Sequence, residues 1–149
     1  MNILAIDPAI ETGYATARDC YGTWTLKKHA DESAGIRLLR FQGHLKEIFE
    51  LHGTDIVGYE KPGGRNYKGL IHHAKLVAVI EKFCEDNCIE YKGYSASEIK
   101  KLATGKGNAN KPAMIKAAQE RLGYIGDNEN EADALWILEL MKSDLNLVL

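Results

Sequence analysis

The sequence predicts an α/β domain, on three observations. Two short apolar runs, Asn2–Ile6 and Asp55–Glu60, have the length and composition of strands covered on both faces. Each run brings a carboxylate to its carboxyl end, Asp7 and Glu60. Each is then closed by a proline, Pro8 or Pro62, which has no ladder donor to offer. Between and after these runs, apolar residues recur at helical spacing. Ligand sites of α/β sheets collect at such strand ends. With 149 residues, 45% hydrophobic and 27% charged, the chain is expected to form one domain, 1–149, with a real core. It has no apolar run of membrane-spanning length, and it opens on a strand without the basic-then-apolar pattern of a signal peptide. Neither a membrane association nor secretion is expected.

The elements follow in order. Gly13 opens a second strand-like run, Tyr14–Arg18, and Gly22–Lys28 alternates as a third strand of a meander, with Trp24 and Leu26 inward. Asp31 and Ser33 are cap candidates for a helix to about Leu51, with Leu38, Phe41, Leu45 and Ile48 as its buried stripe. His52-Gly53 ends that helix. After the strand ending at Glu60, the loop Lys61–Lys68 is basic and carries one aromatic, Tyr67, a combination suited to backbone contact and base stacking. Gly69–Asp86 reads as a long helix. Leu70, Ala74, Val77 and Ile80 lie on one side and Val79 and Phe83 on another, an arc wide enough to meet both its own sheet and a partner. His72 and His73 read as surface or interface residues rather than ligands.

Ile89–Tyr91 supplies another strand, and Ser95 or Ser97 caps a short helix, Glu98–Ala103. The glycine-rich, basic segment Thr104–Lys111 has the wrong spacing for a nucleotide-binding P-loop. Pro112 suits the first turn of a helix running through Met114, Ile115, Ala118 and Leu122 to Gly123. The last helix starts in the acidic stretch Asp127–Asp133, with Asn128 and Glu131 as a capping box. Leu135, Trp136, Ile137, Leu138, Leu140 and Met141 make it apolar nearly all round, hence buried. Asp133, one turn in, is a carboxylate beside core and needs a partner; a bound cation is the economical one.

Charge is divided along the chain. From Lys61 to Arg121 there are twelve Lys/Arg and six Asp/Glu, whereas the whole chain is −2. A basic face beside an acidic pocket accounts for that asymmetry. Cys20, Cys84 and Cys88 form no metal-ligand spacing. Cys84 and Cys88, four apart, read as small buried residues, and the set fits a reducing cytoplasm.

Asp7, Glu60 and Asp133 come from two strand ends and a late helix, so only tertiary structure can unite them. Hard divalent cations such as Mg²⁺ take oxygen ligands and keep several waters, which favours a few carboxylates plus substrate phosphate. Two such ions about 3.5–4 Å apart suit hydrolysis of a phosphodiester. No serine, cysteine or zinc arrangement competes with this.

Four segments in order, ILAIDPAIETGYA, the strand ending YEKP, IKKLATGKGNANK and NEADALWI, resemble RuvC-type Holliday-junction resolvases of the RNase H-like nuclease superfamily. The resemblance spans nearly the whole chain, and the short length is similar to that of phage-like members. It implies an RNase H-like α/β fold, a mixed five-stranded sheet flanked by helices with its first three strands antiparallel. It further implies that Asp7, Glu60 and Asp133 are catalytic acids and that Lys100 and Lys111 lie near the scissile phosphate, Lys111 with a catalytic role. Metal would be held by Asp7, Glu60, Asn130 and Asp133 as two Mg²⁺ ions per site, with Mn²⁺ able to substitute.

Asn130 stands where the family has an acid or histidine. Its carbonyl could serve, and Glu129 is the alternative. The family's aromatic wedge near the second acid is replaced by Pro62 and Gly63, which leaves Tyr67 as the candidate. DNA contacts are expected from Arg65, Tyr67, Lys68, Lys100, Lys106 and Lys111.

The function implied is a homodimeric, Mg²⁺-dependent endonuclease that resolves four-way junctions and other branched DNA in the cytoplasm of a bacterial or phage-infected cell, with Gly69–Asp86 as the dimer surface. The alternatives are a related nuclease acting on flaps, forks or single strands, and a catalytically impaired junction-binding protein. An actin-like ATPase would need phosphate loops and an adenosine site for which the chain is too short.

Overall fold

Alternation along the two central strands sets the layout. In a computed structural model, which describes residues 1–64 and 66–146, β1 (Ile3–Asp7) and β4 (Ile56–Glu60) run parallel side by side. Ile3, Ala5 and Ile56 point to one face of the sheet; Leu4, Ile6, Val57 and Tyr59 point to the other. Both faces are therefore apolar and both are covered, which is why these runs lack polar alternation. β2 (Glu11–Ala17) and β3 (Cys20–Thr25) continue the sheet antiparallel from β1, and β5 (Glu90–Tyr94) pairs parallel with β4. The order is β3-β2-β1-β4-β5, a mixed five-stranded sheet whose first three strands are antiparallel, as the resemblance implies.

Helices α1 (Ile36–His52) and α2 (Tyr67–Asp86) cover one face, where Phe41, Leu45, Leu76 and Ile80 pack on Leu4, Ile6 and Val57. Helices α3 (Ala96–Thr104), α4 (Lys111–Leu122) and α5 (Glu129–Asp144) cover the other. Helix α5 lies directly on β1 and β2, and it is buried as its all-round apolar pattern predicts. Its one buried charge beyond the first turns, Glu139, 6% exposed, is met by a two-pronged hydrogen bond from the Arg18 guanidinium at 2.7 and 3.2 Å. Two glycines let the helix approach. A Cβ on Gly13 would collide with the Asn130 backbone carbonyl, and one on Gly58 with the Met141 side chain.

Several local expectations are corrected. Helix α1 starts at Ile36 behind Gly35 and has no side-chain cap. The acid used there is Glu32, which accepts from the His29 amide at 2.6 Å and pairs with Arg40, so the segment ahead of α1 is tied into a turn. Helix α2 begins at Tyr67, because Asn66 accepts from the Gly69 amide and caps it two residues earlier than its apolar pattern suggests. On α2 the buried set is Leu76, Val77, Ile80, Phe83 and Cys84, whereas Ala74 is exposed. Cys88 is also exposed: the helix ends at Asp86 and Cys88 adopts a φ of 55°, so its helical relation to Cys84 is lost. Strand β5 runs Glu90–Tyr94, further on than Ile89–Tyr91. Ser95 is the cap of α3, in a reciprocal box with Glu98. Asn128 caps α5 alone, since the Glu131 carboxylate turns to the Tyr124 and Thr23 hydroxyls. Among the described residues no helix is long and apolar enough to cross a membrane.

Candidate active site

Strand parity decides where the two strand-end acids go. Asp7 shares parity with Ile3 and Ala5, and Glu60 with Ile56 and Gly58, so both carboxylates fall on the face that α5 covers. In helix α5, Asn130 and Asp133 are three residues apart and share a side. Asn130 sits against Gly13, whose missing Cβ seats the amino end of α5 at the mouth of the β1–β2 turn. The outcome is one cleft of about 720 Å³ lined by Asp7, Glu60, Asn130 and Asp133, with Lys100 from α3 and Lys111 from α4.

Its electrostatics are those of crowded carboxylates. Asp7, 8% exposed, is pushed well above the usual carboxylate range by burial and then by Asp133 and Glu60, with Lys111 opposing. Asp133 is pushed up to about 7, by burial first and by Glu60 second. Glu60 is raised by burial, with His73, Lys100 and Lys111 pulling the other way. One of these cations is partly committed elsewhere: the Lys111 ammonium donates to Glu129 at 2.8 Å, and that bond holds its pKa up.

Among the described residues no three His, Cys, Asp or Glu side chains form a ready-made metal cage. The acids face a shared open cleft instead. Hard oxygen donors that are short of positive charge, in a space with room for water and phosphate, fit a divalent cation that substrate helps to ligate.

The sequence-predicted residues divide as follows. Asp7, Glu60, Asn130, Asp133, Lys100 and Lys111 are brought together. Glu129 does not line the cleft and is paired with Lys111. Lys106 borders an adjoining depression of about 380 Å³ that shares Ala109 and Asn110 with the cleft. Tyr67, 74% exposed, and Lys68 stand in the first turn of α2, outside the cleft lining. Arg65 lies outside the described residues.

Three residues were missed. Lys61 lines the cleft directly after Glu60, and Ser95 lines it from the cap of α3. Their signal was adjacency to the ends of the parallel strands β4 and β5. His73, read as a surface or interface residue, reaches the Glu60 backbone carbonyl with Nε2 at 2.8 Å; no pattern in the sequence marks that contact.

No family model matches the chain. It is similar to the crossover junction endodeoxyribonuclease RuvC of Gloeobacter violaceus, 30% identical over 150 residues, covering 92% of this chain and 85% of the relative. The enzyme of the same name from Caldicellulosiruptor saccharolyticus is 28% identical over 146 residues, covering 91% and 88%. Among solved structures, Thermus thermophilus RuvC superposes with a TM-score of 0.77 at 17% identity, over 98% of this chain and 97% of that one. The same protein in complex with a Holliday junction substrate gives 0.74 at 20% identity, over 92% and 90%. The fold is thus shared along essentially the whole chain.

Proposed function

The chain belongs to the RuvC family of crossover junction endodeoxyribonucleases, and on that premise we propose that its cleft is the site at which it cuts branched DNA. The enzyme is a Holliday-junction-resolving endonuclease that hydrolyses phosphodiester bonds. The observation that carries the site assignment is the meeting of Asp7, Glu60, Asn130 and Asp133 with Lys100 and Lys111 in one cleft at the carboxyl ends of β1 and β4.

Asp7, Glu60 and Asp133 hold divalent metal, Mg²⁺ by preference with Mn²⁺ able to substitute, two ions per site, and Asn130 contributes a neutral carbonyl oxygen. Bound metal supplies charge to the attacked phosphate and to its leaving oxygen. Lys100 and Lys111 neutralise and orient the phosphate, and the Lys111–Glu129 pair holds the lysine at the cleft mouth until substrate arrives. Lys68 and Lys106, outside the acid cleft, contact the DNA backbone, and Arg65 is proposed with them from sequence alone. Tyr67, exposed beyond the loop that carries Pro62 and Gly63, stacks on an unpaired base.

The working form is a homodimer paired through α2. Ile71, Ala74 and Ala78 are exposed at i, i+3 and i+7, an apolar stripe suited to a second copy. The three cysteines are free, in keeping with work in the cytoplasm of a bacterial or phage-infected cell.

The test is cleavage of a panel of synthetic four-way junctions, forks, flaps and single strands with Mg²⁺ or Mn²⁺, beside Asp7→Asn and Glu60→Gln. Junctions should be cut by paired incisions. Each variant should lose more than about 100-fold in turnover, beyond what loss of an outer-shell partner causes, while still binding junctions. Near-normal cleavage by either variant refutes the site. Preference for flaps or forks would instead favour the reading in which the missing aromatic next to Glu60 has changed the substrate.

A further inference from the structure

The sheet leaves one carbonyl beside the acid cleft without a ladder partner, and a histidine from the opposite layer takes it. Just past β4 the Lys61 amide donates to the Tyr94 carbonyl of β5 at 2.7 Å. The chain has no cis peptide bond among its described residues, so the Glu60 carbonyl of that same peptide points the other way, toward β1. The β1–β4 register pairs Ala5 with Gly58 and Ile6 with Tyr59, which sets Asp7 opposite Glu60. In a parallel ladder the donor for the Glu60 carbonyl would then be the next amide of β1. That residue is Pro8, which has no N–H. The turn that carries Asp7 out of the sheet therefore orphans the carbonyl of the second acid. His73, on α2, fills the gap with Nε2 at 2.8 Å, and because a carbonyl only accepts, Nε2 carries the proton.

We propose that His73 is a positioning residue for the nuclease reaction: its hydrogen bond fixes the last peptide of β4 and thereby aims the Glu60 carboxylate into the cleft. The Lys61 amide ties this peptide to β5, and on its other side, among the described residues, the imidazole is the group that holds the carbonyl. The inference rests on the reading of the cleft as a metal-dependent nuclease site, and it concerns a residue outside the cleft lining. Outer-shell partners that orient a ligating carboxylate are worth about 10–100-fold in metal affinity or activity.

The experiment compares His73→Phe, which keeps a ring of similar volume without a donor, with His73→Gln, which restores an N–H of similar reach. Three quantities are read: kcat and KM on a four-way junction, Mn²⁺ binding to the DNA-free protein by electron paramagnetic resonance, and the carbonyl ¹³C shift of Glu60. For His73→Phe, kcat and Mn²⁺ affinity should each fall about tenfold at unchanged junction affinity, and the Glu60 resonance should move. His73→Gln should recover most of all three.

Wild-type turnover and Mn²⁺ binding in His73→Phe overturn the proposal. So does a folded His73→Gln as impaired as His73→Phe, which would make the histidine a packing residue. If the wild type cuts no branched DNA, the functional reading fails, and Mn²⁺ binding together with the Glu60 resonance still judges His73.

Discussion

Replacing Asp133 with asparagine should make the metal-free protein more stable while destroying its activity. Asp133 is held in the cleft with Asp7 and Glu60, and burial followed by Glu60 pushes its pKa from 3.8 to about 7. The folded state therefore binds this proton more tightly than the unfolded chain does. Stability is greatest below the unfolded pKa, falls as pH rises, and levels off above the folded pKa. A shift of that size corresponds to about 4 kcal/mol above neutral pH. Part of it is repulsion that relaxes when a neighbouring acid takes up a proton, so about 2 kcal/mol of relief is expected from Asp133→Asn.

For a chain of this length that is a rise in melting temperature of about 4–8 °C near pH 8. Near about pH 4 less than half of the gain should remain, because the difference in proton binding vanishes only as pH approaches the unfolded value of 3.8. The assay is thermal unfolding in chelator at both pH values, repeated with Mg²⁺, which should stabilise the wild type more than the variant. Equal melting temperatures near about pH 8 in chelator, or a variant less stable than the wild type, would refute the crowding of charge on which the proposed metal site rests.

Asn130→Asp should remain active and reach half-maximal cleavage at lower Mg²⁺, whereas Asn130→Ala should lose most activity. Normal cleavage by Asn130→Ala together with an inactive Glu129→Ala would move the fourth ligand to Glu129, against its present pairing with Lys111. Gly13→Ala should destabilise the fold by about 1–3 kcal/mol through overpacking, since its new Cβ meets the Asn130 carbonyl. It should also slow cleavage at saturating DNA by moving the amino end of α5; an active variant of wild-type melting temperature would show that α5 accommodates the methyl group.

Much of the site was legible because its signals are local. An apolar run that stops on an acid and a proline marks both a strand and its functional end, so Asp7 and Glu60 stood out before any fold was known. Strand parity then puts both on one face, and Asp133 betrays itself as a charge inside an otherwise apolar helix. The caps were less legible. Asn66 starts α2 two residues before the apolar pattern does, and Glu131 gives its carboxylate to Tyr124, 2.9 Å away, in preference to its own helix end. Which of several nearby polar groups a side chain chooses depends on partners distant in sequence.

By itself, then, the sequence determined the carboxyl ends of β1 and β4 and the buried last helix, and it singled out the three acids as candidates, because hydrophobic periodicity and proline act over a few residues. Three things were decided only in the tertiary structure. The seating of α5 on β2 depends on Gly13 meeting the Asn130 carbonyl, a contact across more than a hundred residues. The diversion of Glu129 to Lys111 depends on where α4 begins relative to α5. The bond from His73 meets a Glu60 carbonyl that Pro8, just past the end of β1, has no proton to serve. Backbone hydrogen-bond demand must be met wherever it is left open, and which residue meets it depends on what the fold brings within reach.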